Sequence, residues 1–385
     1  MTHHRKTVRL SVVAALTSGA LVLAACGSSN DNSSSTSSGS STASGSTAAA
    51  ADPKIEAAKA EVAKYSKAPS DIGVSEALEG SVRGKKVVFE QCLAPICALI
   101  ANNVKAAAQH LGVTVQIIST GATPDTITKA FNSGVAAKPD AMIASTIPTA
   151  LWTKQLAALD AAGVPVITNA TLAKPSKGVV AQFYPDAVTA NVGVQDANWV
   201  ISDSGGKGKT VYVFTPEFAG LFPQVNAYRD KLKADCPGCS YDRLDVKSSD
   251  VGKVIPGRVV SYLQQHPDVK YVIFQYGDLA TGVPQALKGA SISGVKLASS
   301  GGGPVNYQYI KSGDQLRDMS LYLDVYSWQI MDATAKAILK QAVTVPPIPE
   351  AWITKDNADF DPKQQPPFGN PDWQGAFLKL WAKST

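Results

Sequence analysis

Histidine is scarce in these 385 residues: there are four, and two of them, His3 and His4, stand beside the initiator. His110 ends a helical pattern and His266 precedes Pro267, so both are expected to face solvent. Nucleophilic catalysis of the Ser/His/Asp kind therefore has no positioned base. Charge is also sparse, at 17% of residues. Lysines and acids are interspersed, no basic tract exceeds Lys85-Lys86, and no zinc-finger spacing occurs, so no nucleic-acid partner is indicated. The long N-terminal apolar run, Leu10 through Leu23, falls short of the roughly 20 residues that a membrane-spanning helix needs. Gly301-Gly302-Gly303-Pro304 lacks the Lys-Ser/Thr of a P-loop and the spacing of a dinucleotide site; it reads as a turn where a ligand can approach the backbone. No cofactor and no metal are expected.

What the chain does carry begins at its N-terminus. Arg5, Lys6 and Arg9 precede the apolar run, and Leu23-Ala24-Ala25-Cys26-Gly27 closes it. Residues 1–25 read as a signal peptide, and the small residues before Cys26 resemble the lipobox of bacterial lipoproteins, which implies acylation of Cys26. Residues 26–50, nearly all Ser, Gly, Thr, Ala and Asn after the cysteine, cannot bury enough apolar surface to fold and read as a flexible tether. The expected location is the outer face of the cytoplasmic membrane. The formal net charge of +5 overstates the mature chain, which loses Arg5, Lys6 and Arg9.

Four further cysteines lie as two local pairs in a compartment that permits disulfides. Bridges Cys92–Cys97 and Cys236–Cys239 are the simplest assignment. Cys236-Pro237-Gly238-Cys239 also matches the CxxC pattern of redox or metal chemistry, although it follows a helix and precedes a strand, the reverse of a redox arrangement.

Beyond a linker segment (51–83) that opens with an amphipathic helix at 53–66, the chain alternates. Strand-like runs at Lys86–Phe89, Val113–Ile118, Ala141–Ala144 and Val164–Thr168 are separated by helices at Pro95–Leu111, Thr123–Phe131 and 149–162. Short apolar strands buried on both sides, with helices between them, predict parallel sheet covered by helices. After Val179–Phe183 the rhythm restarts, with helices at 186–202, 217–234, 251–265 and 280–289 between strands at Thr210–Phe214, 241–246, Tyr271–Phe274 and Val295–Ser299. Two α/β lobes, each with its ligand edge at the carboxyl ends of its strands, would face each other across a cleft.

Pro139-Asp140-Ala141-Met142-Ile143 and Ala162-Gly163-Val164-Pro165-Val166-Ile167-Thr168 resemble the first lobe of type 1 periplasmic binding proteins, the ribose- and galactose-binding kind. His266-Pro267-Asp268-Val269-Lys270-Tyr271-Val272-Ile273 with Gly277-Asp278-Leu279-Ala280-Thr281-Gly282 resembles their second lobe, and Ile353-Thr354-Lys355-Asp356-Asn357 their late hinge segment. The resemblance spans roughly residues 84–357. It implies two similar lobes joined by a three-strand hinge, a first lobe of 84–185 plus 323–350, and a second of 186–322 plus the C-terminal arm 351–385. That arm's short apolar helix, with Phe368, Trp373, Phe377, Leu378 and Trp381, is expected to pack on the second lobe. The implied function is delivery of a small molecule to an ABC permease by a monomer that closes on it.

The same resemblance places the cleft. Where sugar binders carry polar clamps and stacking rings, this chain has Ala94 and Ile96, then Ala170 beside Asn169, and Phe222, Tyr276, Gly302 and Tyr322. Gln91 and Thr146 at strand ends, with Phe183, Tyr184 and Phe218, complete the expected lining. Burying an unpaired hydroxyl costs free energy, so a wall of this kind suits a partly apolar or ring-bearing ligand better than a polyhydroxylated sugar. Glu90, Glu217 and Asp278 at strand ends, without adjacent Lys or Arg, point to a neutral or cationic ligand. Glu90 with Glu217 is also the one carboxylate pair open to a hydrolytic reading, but facing lobes that move apart are a poor frame for it, and no enzyme is expected. Two rival readings are a ligand-sensing lipoprotein that docks on a membrane receptor, and a sugar binder that uses backbone and other polar groups.

Overall fold

The computed structural model describes residues 52–171 and 176–383. The signal peptide, Cys26 and the Ser-rich tether lie outside the described residues.

The described chain opens with α1 (Pro53–Lys64), capped by the Asp52 carboxylate, which accepts from Lys54 N at 2.9 Å. It then alternates through β1 (Lys86–Gln91), α2 (Pro95–His110), β2 (Thr114–Ser119), α3 (Pro124–Ala136), β3 (Ala141–Ser145), α4 (Thr153–Ala161), β4 (Val166–Asn169) and β5 (Val179–Phe183). These strands form one parallel sheet in the order β2-β1-β3-β4-β5. Its central strands are covered on both faces. Phe89 and Ile143 enter a core beneath α2, while Val88 and Met142 enter another with Ile127 and Phe131 of α3. Thr123 starts α3 as expected, its hydroxyl accepting from Thr126 N while Thr126 Oγ1 accepts from Thr123 N, a reciprocal cap.

The second half runs α5 (Asp186–Asp203), β6 (Lys209–Phe214), α6 (Phe222–Asp235), β7 (Ser240–Asp245), α7 (Ile255–Gln265), β8 (Tyr271–Phe274), α8 (Val283–Gly289), β9 (Lys296–Ser300), α9 (Pro304–Ser312) and β10 (Arg317–Leu321). After α10 (Leu323–Ile338), β11 (Glu350–Thr354) adds antiparallel to β10, giving a six-stranded sheet in the order β11-β10-β9-β8-β6-β7. The molecule is thus an α/β protein of two lobes, each a largely parallel sheet flanked by helices. Both sheets reverse strand order beside their first strand, between β1 and β3 and between β6 and β8. The loops that leave such neighbours diverge and open a crevice.

Several helices begin later than their apolar pattern suggests. Proline stands in the first turn of α6, α7 and α8 (Pro223, Pro256 and Pro284), where its missing N–H costs nothing, whereas deeper in a helix it would break the ladder. The residues ahead form single 3₁₀ turns at Ala219–Leu221, Ser248–Asp250 and Gly277–Ala280. The helix expected over 149–162 is likewise divided, at Trp152, whose ring stacks on Phe131 with centroids 4.3 Å apart.

The C-terminal arm corrects an expectation. Its helix α11 (Trp373–Leu380) lies on the first lobe, where Trp381 stacks on Trp328 of α10 with centroids 5.0 Å apart and donates through Nε1 to Asp332 Oδ1 at 2.9 Å. Phe368 meets Tyr322 edge-on at 5.6 Å. Trp328 presents its ring on this face of α10, and burying Phe377 and Trp381 against it removes their apolar surface from water. The N-terminal segment also joins both lobes: Ile55, Val62 and Tyr65 pack on the second core, whereas Ile72, Leu78 and Val82 enter the first. The arms meet where Gly369 N donates to Pro69 O and Leu78 N to Leu380 O, both at 2.9 Å.

Candidate functional site

The loops beyond both switch points enclose a cleft with a free volume of about 110 Å³. From the first lobe come Cys92 and Ala94 of the β1–α2 turn, Ile96 and Cys97 of the first turn of α2, Ser145 and Thr146 at the end of β3, and Asn169 and Ala170 at the end of β4. Tyr184 follows β5, and Tyr326 reaches in from α10. The second lobe supplies Phe218, Leu221 and Gln224 after β6, Gln275 and Tyr276 after β8, and Ser300 and Gly301 at the end of β9. The walls approach closely: a Cβ on Gly301 would lie 3.5 Å from Ile96 Cδ1.

Three adjacent strands of the first sheet end alike. Thr146, Ala170 and Tyr184 follow β3, β4 and β5 directly, each at positive φ (64°, 50° and 51°), and each lines the cleft. A side-chain-bearing residue in that region costs about 1–2 kcal/mol. The cost is borne here because Thr146 N and Ala170 N still extend the ladder, donating to Asn169 O at 2.8 Å and Phe183 O at 3.0 Å while the chain turns away. Backbone strain held by the surrounding fold is a mark of functional sites.

Polar groups in the cleft hold one another in place. Asn169 Nδ2 donates to Ser145 Oγ at 2.9 Å, and the Tyr326 hydroxyl donates to Asn169 Oδ1. Gln275 Oε1 accepts from Thr215 N and Oγ1 at 2.9 and 2.7 Å, and Gln224 Nε2 donates to Gln275 O at 3.0 Å. Every lining side chain is uncharged at neutral pH, because burial pushes the Tyr184, Tyr276 and Tyr326 hydroxyls above the ordinary phenol range. Ile96, Leu221, Leu321, Phe218 and the Tyr276 ring supply an apolar wall, with Phe218 and Tyr276 edge-to-face at 5.9 Å.

Of the residues expected at the cleft, Ala94, Ile96, Thr146, Asn169, Ala170, Tyr184, Phe218 and Tyr276 line it. The others do not. Glu90 is buried on the Val88 face of β1, against Gly134 of α3, with neither carboxylate oxygen hydrogen-bonded, and burial pushes its carboxyl up to about 8. Gln91, half-buried, stays out of the lining. Glu217 is exposed and accepts from Ser248 N at 2.9 Å, holding a 3₁₀ turn. Asp278 also lies outside the lining, with a buried Oδ2 and a carboxyl raised by burial. Phe183 is core, edge-on to Tyr326. Phe222, Gly302 and Tyr322 each miss by one position. Phe222 packs edge-on to Phe214, Gly302 N donates to Asp318, and Tyr322 meets Phe368, while Leu221, Gly301 and Leu321 face the cleft. At the ends of β9 and β10 one residue of offset exchanges the two faces, and at Leu221 and Phe222 the 3₁₀ turn ahead of α6 does the same. Tyr326 and Gln224 carried no sequence signal, since each sits on a helix and is brought to the cleft by packing alone.

The structure pairs Cys92 with Cys97 and Cys236 with Cys239, at Cα separations of 5.6 and 5.3 Å. Among the described residues no cluster of His, Cys, Asp and Glu could hold a metal ion, and no helix is long and apolar enough to cross a membrane.

Two parallel-sheet lobes enclosing a neutral cleft at their facing switch points define a binding protein for small solutes. Residues 92–342 match the family of the periplasmic binding protein domain, and the chain belongs to that family, whose members are solute-binding proteins and not enzymes. It is 27% identical over 237 residues to a xylitol-binding protein of Mycolicibacterium smegmatis, a match that covers 60% of this chain and 64% of that relative's length. Among solved structures it is similar to a 5-methylthioribose transporter solute-binding protein from Thermotoga lettingae (TM-score 0.68, 14% identity, 79% of this chain and 99% of that one). A periplasmic ribose ABC transporter protein from Conexibacter woesei is also similar (TM-score 0.62, 20% identity, 73% and 95% covered).

Proposed function

We propose that the protein is an extracytoplasmic lipoprotein, acylated at Cys26, that closes its lobes on a small uncharged ligand with an apolar face and delivers it to an ABC-type permease. One observation carries the ligand class: an apolar wall faces a short strip of neutral amide and hydroxyl groups, with no ionised side chain in the lining. The cationic option loses its support, because Glu90, Glu217 and Asp278 all lie outside the cleft. Ser145, Thr146, Asn169, Gln224 and Ser300 can pair a few ligand hydroxyls. Against Ile96, Leu221 and Phe218 any further hydroxyl would be buried unpaired, at about 1–3 kcal/mol each. A sugar-like ring carrying an alkyl or thioalkyl group meets both walls. The Cys92–Cys97 pair closes a short loop around Ala94 and Ile96, which lowers the ordering cost of binding there.

The xylitol-binding relative favours a second reading, a polyol ligand held by the polar strip and backbone groups. Thermal-shift titration with 5-methylthioribose, ribose and xylitol, together with mass spectrometry of any molecule retained on purification, separates the two. Greater stabilisation by 5-methylthioribose than by ribose supports the apolar-faced ligand, and preference for xylitol supports the polyol. A preference for phosphorylated or carboxylated sugars would overturn both.

A further inference from the structure

Past Gly301 the glycine-rich turn after β9 leaves the cleft, and buried side chains hold it. Gly302 N donates to Asp318 Oδ1 at 2.9 Å, and Gly302 O accepts from the Tyr307 hydroxyl at 2.9 Å. The turn also rests directly on the loop after β8: a Cβ on Gly277 would lie 2.4 Å from Gly302 Cα, and one on Gly302 would lie 2.6 Å from Asp318 Oδ2. A side chain at Gly277 would force the two loops apart.

One side chain joins both loops. Asn306, in the first turn of α9 and 1% exposed, accepts through Oδ1 from Gly303 N at 3.1 Å and donates through Nδ2 to Gly277 O at 2.9 Å and to Gln315 Oε1 at 3.1 Å. A backbone N–H can only donate and a carbonyl can only accept, so the amide has one orientation and both of its hydrogens are used. Gln315 Nε2 continues to Ser299 Oγ at 2.7 Å, and Ser299 donates to Asp318 Oδ2. The network is closed, and a buried network with every member paired is rigid. Capping α9 requires only the bond to Gly303. The bond to Gly277 reaches across to another loop and has no part in that helix.

Tyr276 precedes Gly277, Ser300 and Gly301 precede Gly302, and these three line the cleft, whereas Asn306 does not. We infer that Asn306 is a positioning residue for ligand capture: without touching the ligand, it sets the spacing between Tyr276 and the Ser300–Gly301 edge and holds this part of the second-lobe wall in place before binding. The inference rests on the binding function proposed above. A wall fixed in advance lowers the ordering cost of capture.

Hydrogen exchange of the free mature chain, read by mass spectrometry, and titration with 5-methylthioribose, ribose and xylitol test it. Asn306→Asp keeps the shape and the acceptor but removes both donors and sets a carboxylate against Gly277 O. Amide exchange in 275–281 and 299–304 should quicken at least tenfold with the strands of the first sheet unchanged, and affinity for whichever probe binds wild type should fall by about tenfold or more, the loss expected for one or two buried hydrogen bonds. Leu263→Ala, in the core beneath α7, is the control for stability alone: it lowers the urea midpoint and leaves affinity as in wild type. Unchanged exchange in the two loops, or loosened loops with unchanged affinity, overturns the role of Asn306. Failure of wild type to bind any of the three probes counts instead against the proposed ligand, and Asn306 is then decided by the exchange comparison together with retention of the copurified molecule by wild type and variant. Should Asn306→Asp fail to fold, Tyr307→Phe removes only the donor to Gly302 O and should move both readouts in the same direction.

Discussion

Replacing Glu90 by Gln tests the placement of this carboxyl beneath the first sheet, and its effect is readable without any ligand. In the folded chain Glu90 is fully buried against Gly134 and Met142, lacks a hydrogen-bond partner, and burial raises it from an ordinary 4.5 to about 8. The sign follows from linkage. Between these two values the unfolded chain has lost the proton and the folded chain keeps it, so stability falls as pH rises from about 4.5 to about 8 and levels off beyond. With about 1.4 kcal/mol for each pH unit between the folded and unfolded values, the loss has a ceiling of roughly 5 kcal/mol. Glutamine has the same shape and does not titrate, so the variant lacks this fall. Urea unfolding of both proteins at about pH 5, 6, 7 and 8 should show the variant gaining on wild type across the series. Glu350, also raised by burial to about 8, titrates in both proteins and cancels in the difference. A difference independent of pH would show that Glu90 is solvated or ionised, and would refute the burial reasoning. Ligand affinity should be unchanged, since Glu90 does not reach the cleft.

Other outcomes follow from the same geometry. Ala170→Gly, at φ 50°, should be neutral or stabilising by up to about 1 kcal/mol in urea unfolding, because relief of left-handed strain offsets the added chain entropy; Ala170→Val should destabilise. Trp381→Ala should cost about 3–5 kcal/mol by emptying the stack on Trp328 and removing the donor to Asp332; a loss below about 1 kcal/mol would show that the arm is not part of the first core. Ile96→Asp places a charge in the apolar wall and should abolish stabilisation by whichever neutral ligand binds, whereas Glu217→Gln, outside the cleft, should leave the thermal shift unchanged.

Much of the architecture was legible locally. Alternation of short apolar runs with helical periodicity depends on neighbours in the chain, so β1, β3, β6, β8 and the helices between them could be read from residues alone, as could the start of α3 at Thr123. The prolines that delay α6, α7 and α8 are equally local signals, carried by Pro223, Pro256 and Pro284. The cleft was only half legible. Thr146 follows from the rule that ligands sit beyond strand ends, whereas Ala94, Ile96 and Tyr276 came from the resemblance to the sugar-binding family.

By itself, then, the sequence determined the alternating lobes, the polarity of their strands and which end of each sheet would meet the ligand, because these depend on spacing within a few residues. Only the tertiary structure decided that the arm's indoles cover the first lobe, that Tyr326 and Gln224 enter the cleft, and that Glu90 leaves it. Each of those outcomes is set by which face a residue turns, and one position of register, or packing against a segment hundreds of residues away, is enough to reverse it.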